Sequence, residues 1–244
     1  MEYAAISDKG IIREQNEDFW NIVLDLNENP IAFIVADGMG GHQAGDVASR
    51  MAVEIISDEI SRFIESKDAG SSLSMVFEKA IYKANEEIYR YSVVFLGGAS
   101  IGTTLTAGII EGNILTIAHI GDSRFYIIRE GKIKKLTRDH SFVEELVEKG
   151  ILDQEEANKH PLRNQITRAL GYEEQIQIDF YKIEVKKQDT YLFCTDGLTM
   201  KMSSLELLSI LLQEKTLDEI LKSMVELANE RGGDDNITAI AVRI

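Results

Sequence analysis

The chain has 244 residues, 44% apolar and 27% charged, a composition that builds a substantial core and is too apolar for intrinsic disorder. Its 26 basic residues against 41 acidic ones leave a formal charge of −15, which argues against a general nucleic-acid binder and against adhesion to anionic lipid, since both depend on Lys and Arg. No apolar stretch approaches the roughly 18 residues needed to cross a bilayer, Met1 to Asp8 carries no visible secretory signal, and the single cysteine, Cys194, has no partner for an internal disulfide, so a cytoplasmic protein is expected.

Tyr3–Ser7, Phe19–Leu26 and Ile31–Ala36 read as three strands, with Asn27 to Pro30 a turn between the last two. Ala44, Val47, Ala48, Met51, Ala52, Ile55, Ile56 and Phe63 then recur at helical spacing, and Leu73, Val76, Phe77, Ala80, Ile81, Ala84, Ile88 and Tyr91 repeat the pattern. Strands follow at Thr103–Ile110, Asn113–Ile120, Arg124–Arg129 and Lys132–Leu136, with hairpin turns at Glu111-Gly112 and Glu130-Gly131. Residues 140–158 are polar and mostly helical in pattern. Strands return at Ile176–Val185 and Asp189–Thr195. Ser203-x-x-Glu206 and Thr216-x-x-Glu219 match the capping box and start a second helix pair, and Asn236–Ile244 reads as the last strand. With two prolines and no low-complexity linker, one domain over residues 1–244 is expected.

The helices come in consecutive pairs and do not alternate with strands, which argues against a parallel βαβ sheet. The fold class expected is α+β: two antiparallel sheets with a helix pair on each outer face, a four-layer α-β-β-α sandwich.

The chemistry is concentrated in carboxylates where strands begin or end. Asp37 follows Ile31–Ala36 and precedes Gly38-Met39-Gly40-Gly41; Asp122 follows Thr116–Gly121; Asp196 follows Tyr191–Thr195; Asp234 and Asp235 precede Asn236–Ile240; Glu17 and Asp18 precede Phe19. Taken singly, each Asp-Gly is a turn signal. Taken together, strand ends that are neighbours would bring these groups into one volume, where like charges repel unless a cation intervenes. Oxygen ligands in number suit Mg²⁺ or Mn²⁺, whereas zinc prefers His and Cys, for which no ligand spacing is present. Two such ions can activate a water and steady a phosphoryl oxygen. Gly38, Gly40 and Gly41 would let backbone approach a metal or anion, and Arg13, four residues before Glu17, is suited to gripping a phosphate or to a surface ion pair.

The motifs Arg13-x-x-Asn16-Glu17-Asp18, Val35-Ala-Asp37-Gly-Met-Gly-Gly41, Ser100-Ile-Gly-Thr-Thr104, Gly121-Asp-Ser-Arg124, Thr137-x-Asp139-His140-Ser141, Thr195-Asp-Gly197 and Asp234-Asp-Asn-Ile-Thr238 follow one another in this order. The set resembles the metal-dependent protein phosphatases, the type 2C serine/threonine phosphatases, in their compact bacterial branch, from about residue 3 to the end. The resemblance implies a β-sandwich with outer helix pairs and hydrolysis of phosphoserine and phosphothreonine in proteins by direct attack of a metal-bridging water. It implies that Asp37 bridges two Mn²⁺ or Mg²⁺ ions, that the Gly38 carbonyl joins one of them, and that Asp196 and Asp235 hold the other. Glu17 would ligate directly or through water, Asp18 would stand behind, and Asp122 would help hold a third, weaker ion. Arg13 would clamp the substrate phosphate, and Asn236 would support Asp235. Residues of about 141–170 resemble the family's flap, which would select substrates. The implied partners are phosphorylated proteins and a cognate bacterial Ser/Thr kinase; a monomer is expected.

One departure concerns the general acid. Animal members carry a histidine directly after the Asp-Gly pair, where this chain has Met39. His42, three residues on, is open between protonating the leaving alkoxide, capping the helix and orienting substrate. His119 and His140 read as packing and ordering residues. Cys194, within an apolar strand, is expected to be buried and no nucleophile. The competing readings are a non-catalytic module on the same fold, which would lack a metal-bridging or second-metal aspartate, and a specialised phosphatase of an anti-sigma-factor antagonist.

Overall fold

Period-two alternation sorts the strand side chains onto two faces. Between Pro30 and Gly40, Phe33 and Val35 point one way and Ala32, Ile34 and Ala36 the other, each set entering a different apolar cluster. The computed structural model describes residues 1–40, 44–66, 70–98 and 101–244. In chain order its elements are β1 (Glu2–Asp8), β2 (Asp18–Leu24), β3 (Pro30–Gly40), α1 (Gly45–Ser66), α2 (Leu73–Phe95), β4 (Ile101–Thr103), β5 (Leu105–Glu111), β6 (Ile114–Ile120), β7 (Arg124–Arg129), β8 (Lys132–Lys135), α3 (Phe142–Glu148), α4 (Gln154–Lys159), β9 (Asp179–Glu184), β10 (Thr190–Cys194), α5 (Asp196–Thr199), α6 (Ser204–Leu211), α7 (Leu217–Glu230) and β11 (Ile237–Arg243).

Among the described residues the strands form two antiparallel sheets. One has the order β1-β11-β10-β7-β8, the other β2-β3-β5-β6-β9 with β4 added to β3. Phe33, Val35, Leu115 and Ile117 of the second sheet meet Phe125, Tyr191, Phe193, Ile240 and Val242 of the first in the central layer, where Phe193 stacks on Phe33 with ring centroids 5.8 Å apart. The opposite face of the second sheet packs on Ala48, Ala52, Ile56 and Ile60 of α1 and Phe77, Ile81, Ala84 and Ile88 of α2. The opposite face of the first packs on Leu207 of α6 and Ile220, Leu221, Met224 and Ala228 of α7. Four layers result, in the expected order α-β-β-α. The capping boxes Ser203/Glu206 and Thr216/Glu219 form as expected, and Asp153/Glu156 forms a further one at α4. No helix among the described residues is long and apolar enough to cross a membrane.

Several boundaries differ from expectation. β2 stops at Leu24, not Leu26, because Oδ1 of Asp25 accepts from the N–H groups of Asn27 and Asn29 at 2.8 and 2.9 Å and closes a side-chain turn. β3 does not stop before Asp37 but continues to Gly40, paired there with β4. The strand expected from Thr103 is two pieces, broken at Thr104. β9 begins at Asp179 rather than Ile176, since the buried Asn85 of α2 bonds the carbonyls of Glu173 and Glu174 and the N–H of Gly171 and shapes that stretch as a loop.

Candidate active site

A cavity of about 240 Å³ lies where strand ends of both sheets meet. Arg13, Glu17, Asp37, Gly38, Asp122, Asp196, Asp235 and Asn236 all line it, with Met39, Gly40, Asn164 and Ile166. A hollow of about 770 Å³ beside the α6–α7 turn is larger, but there Arg243 is already paired with Glu2 and no set of unpaired charges converges. What marks the smaller cavity is its chemistry.

Thr104 places Asp37. Its hydroxyl accepts the Asp37 N–H at 3.0 Å, and its own N–H donates to the Asp37 carbonyl at 2.9 Å. The same hydroxyl meets that of Ser123 at 2.7 Å, so the break between β4 and β5 ties Asp37 to the Asp122 turn. Gly38 is pressed against α1: a Cβ there would lie 2.0 Å from the Gly45 carbonyl oxygen. The Gly38 N–H donates to the Glu17 carbonyl at 3.0 Å, which also accepts from the Ser49 hydroxyl.

Asn236 fastens the loop that carries Arg13 and Glu17. Its Oδ1 accepts the Glu17 N–H at 2.8 Å, and its Nδ2 donates to the carbonyls of Lys9 and Gln15 at 2.8 and 2.9 Å. Arg13 then reaches across to Asp235, Nη2 to Oδ2 at 2.8 Å. Its neighbour Asp234 is engaged by Lys201. Asp196 is the first residue of α5. Asp18 stands behind the cavity, buried, with Oδ2 accepting from the Thr195 hydroxyl at 2.9 Å.

These carboxylates do not sit at ordinary acidity. Burial first, then the charges of Asp18, Asp196, Asp122 and Asp235, push Asp37 well above the usual range. Asp122 is pushed well up by burial and by Asp196 and Asp139. Burial and Asp235 raise Asp196 to about 6, and burial raises Asp18 to about 7 against the help of its hydroxyl partners. Glu17 is raised chiefly by burial. Burial would lower Arg13, but Asp235, Asp37 and Glu17 override it and raise it. Among the described residues no three acidic, histidine or cysteine side chains are drawn in on one point to hold a metal ion. Yet Oδ1 of Asp196 and Oδ1 of Asp18 are buried without a hydrogen-bond partner, a costly state for an anionic oxygen that a cation would relieve. The donor set is oxygen, and it fits a hard divalent ion.

His42 lies outside the described residues, as do Gly41 and Ser100. His119 is buried, pushed down to about 3 by burial, and bonded to Thr106 and the Arg138 carbonyl. Cys194 is buried and its thiol is pushed up to about 12 by burial. Sequence reasoning gave no role to Thr104, Ser123, Thr195 or Ser49. A buried hydroxyl that orients a carboxylate's backbone leaves no periodic signal. Asn164 and Ile166, inside the flap-like segment, line the cavity too, which only the folded chain shows.

A two-sheet sandwich that opens on half-buried carboxylates and an arginine offers the groups a phosphoester hydrolase needs. A family model described as Protein phosphatase 2C matches residues 13–240. The serine/threonine phosphatase stp of Listeria monocytogenes serotype 4b is 39% identical over 239 residues, covering 97% of this chain and 93% of the relative. The structure of the S. agalactiae serine/threonine phosphatase has a TM-score of 0.87 at 37% identity, over 100% of this chain and 99% of that one. The catalytic domain of the phosphatase PstP in complex with two manganese ions has a TM-score of 0.85 at 33% identity, over 98% and 96%. The chain belongs to the protein phosphatase 2C family, and it is a serine/threonine phosphatase.

Proposed function

We propose that the chain is a single catalytic domain that removes phosphate from phosphoserine and phosphothreonine in proteins with Mn²⁺ or Mg²⁺, opposing a bacterial Ser/Thr kinase, as a cytoplasmic monomer. The observation that carries this reading is the convergence of Glu17, Asp37, Asp122, Asp196 and Asp235 with Arg13 on one cavity. Asp37 and the Gly38 carbonyl, with Asp196, Asp235 and Glu17, would hold two divalent ions, and Asp122 would help hold a third. Such ions supply an activated water and Lewis-acid stabilisation of phosphoryl oxygens.

The chain's own groups do the rest. Arg13 is 47% exposed at its side chain, so its guanidinium can turn from Asp235 to a phosphate and orient it by two parallel hydrogen bonds. Asp18 and Thr195 brace the cavity wall. Asn236 keeps the Glu17 loop in register with Asp235. Met39, Asn164 and Ile166 form the wall beside the phosphoryl group, and residues 141–170 select the protein substrate. His42 remains a candidate proton donor to the leaving alkoxide.

The test is phosphate release from phospho-Ser, phospho-Thr and phospho-Tyr peptides during Mn²⁺ titration. Metal-dependent release from the first two, abolished in Asp37→Asn, is expected. Release that ignores metal, or survives Asp37→Asn, overturns the reading and leaves a non-catalytic role for the cavity.

A further inference from the structure

The Asp122 turn is held by a histidine outside the cavity. The His140 N–H donates to the Gly121 carbonyl at 2.7 Å, and the Gly121 N–H donates to Nδ1 of the His140 ring at 3.1 Å. A ring nitrogen that accepts carries no proton, so the neutral imidazole keeps its proton on Nε2. Nε2 lies 3.3 Å from Oδ2 of Asp179, off the line of a hydrogen bond, and Oδ1 of Asp179 is 3.4 Å from Arg168. The side chain is fully buried, and burial with the nearby Arg168 charge keeps it below its ordinary pKa. Gly121 has φ +103°, and a Cβ there would lie 2.6 Å from Thr104. The turn therefore has no side chain of its own at this position to fix it.

The carbonyl of His140 faces the other way. It accepts the Thr167 N–H at 2.8 Å. Ser141 pairs with Ile166, and the Phe142 N–H donates to the Gln165 carbonyl at 2.8 Å. Asn164 and Ile166 of this segment line the cavity beside Asp122. One residue thus spans from the turn that carries an acidic cavity group to the segment that brings Asn164 and Ile166 to the same lining.

We propose that His140 is a positioning residue that couples the Gly121–Asp122–Ser123 turn to residues 164–168, so that the Asp122 carboxylate and the Asn164–Ile166 lining are set together. This rests on the reading of Asp122 as a metal-facing group, and the test separates the two. His140→Asn keeps an acceptor near the place of Nδ1; His140→Gln carries its amide to the place of Nε2 and leaves Gly121 without one. The full chain is followed by amide hydrogen exchange and by the Mn²⁺ concentration that gives half-maximal phosphopeptide hydrolysis. The Gln variant is expected to exchange faster at residues 119–123 and 164–168 together, and to need about ten times more Mn²⁺ or beyond, the range seen when the support of a metal ligand is removed. The Asn variant is expected to stay close to wild type in both. Equal behaviour of the two variants, including equal loss of folding, overturns the coupling, as does faster exchange confined to one segment. An Asp122→Asn variant run alongside reads the other premise: an unchanged Mn²⁺ requirement removes Asp122 from the metal site while the coupled exchange still decides the role of His140.

Discussion

Asp18 and Asp37 stand directly opposite each other across the β2–β3 ladder. Two like charges on one rung of a sheet repel, and here Asp18 is buried and Asp37 half-buried. The Thr195 hydroxyl bonds one oxygen of Asp18 and leaves the other without a partner. The arrangement is a local conflict that stability alone would remove, which is the signature of a site built for a ligand.

Neutralising Asp37 should therefore stabilise the metal-free protein while ending its activity. The folded-state pKa values of Asp37, Asp18 and Asp196 all lie above their unfolded values. Their contribution to stability is complete below about pH 4, the unfolded range, and is lost as pH rises through about 6 for Asp196 and about 7 for Asp18. With EDTA present at pH 8, Asp37→Asn should melt above wild type by about 2–4 °C, the shift for about 1 kcal/mol at this chain length. The gap should narrow at pH 5. Calorimetry at both pH values checks it, and a variant that melts lower at pH 8 would show that the lost contacts of the carboxylate outweigh the relief of its repulsion.

Arg13 should matter to the substrate and little to the fold. Its ion pair with Asp235 is half exposed on the arginine side, and such pairs contribute little to stability. A hydrogen bond to a charged group is worth about 1.5–3 kcal/mol, so Arg13→Ala should lower kcat/KM on a phosphopeptide by about tenfold to a hundredfold. Arg13→Lys keeps the charge but loses the fork and should recover only part of this. Steady-state kinetics with a parallel melting curve separates the two effects; a melting loss as large as the kinetic one would count against it.

The close approach of β3 and α1 should tolerate no added methyl group. A Cβ on Gly38 would lie 2.0 Å from the Gly45 carbonyl oxygen and 2.6 Å from that of Glu17, both main-chain atoms that cannot swing away. Overpacking of this kind costs about 1–3 kcal/mol. Gly38→Ala should lower the urea midpoint and displace Glu17, so that activity falls even at temperatures where the variant is folded. Gly112→Ala is the control, since nothing lies within 4 Å of its Cβ position and only its φ of +63° opposes the change. It should lose stability but keep activity.

Much of this molecule is readable from its residues, for physical reasons that also mark the limit. The layer order follows from helices that come in consecutive pairs and from the stripes of α1 and α7, because burial of a periodic face is a local signal. The ordered carboxylate motifs point to one cavity before any coordinate is known. The break at Thr104 is not readable, since it depends on a hydroxyl meeting Asp37 from a distant strand. The same holds for the late start of β9, which the side chain of Asn85 on another layer imposes. Asn164 enters the cavity only through the pairing of Ser141 with Ile166. Single polar residues acting across long separations carry no period.

The ion pair beneath the Asp122 turn gives a last expectation. Arg124 forks onto Asp139 through Nε and Nη2 at 2.9 and 2.6 Å from Oδ2, and Lys135 adds a contact at 3.1 Å to Oδ1. Burial would raise Asp139, but Arg124 and Lys135 override it and hold it below the usual range. Its contribution to stability is thus present above the unfolded pKa of about 4 and lost as pH falls through the lower folded value, the reverse of Asp37. Removing Arg124 leaves the buried Asp139 with Lys135 as its remaining cationic partner, which puts the loss at the low end for a broken buried pair, about 3 kcal/mol. Arg124→Met should lower the melting temperature by about 6–12 °C at pH 7. The double variant Arg124→Met/Asp139→Leu should regain part of that loss, since no buried charge is left alone. Its effect on activity is a separate matter: Arg124 lowers the Asp122 pKa and Asp139 raises it, so the double variant removes two opposing influences on Asp122. Melting curves of the singles and the double, read as a double-mutant cycle, decide the point. A double variant less stable than either single would mean that the pair supports the turn through shape, not charge.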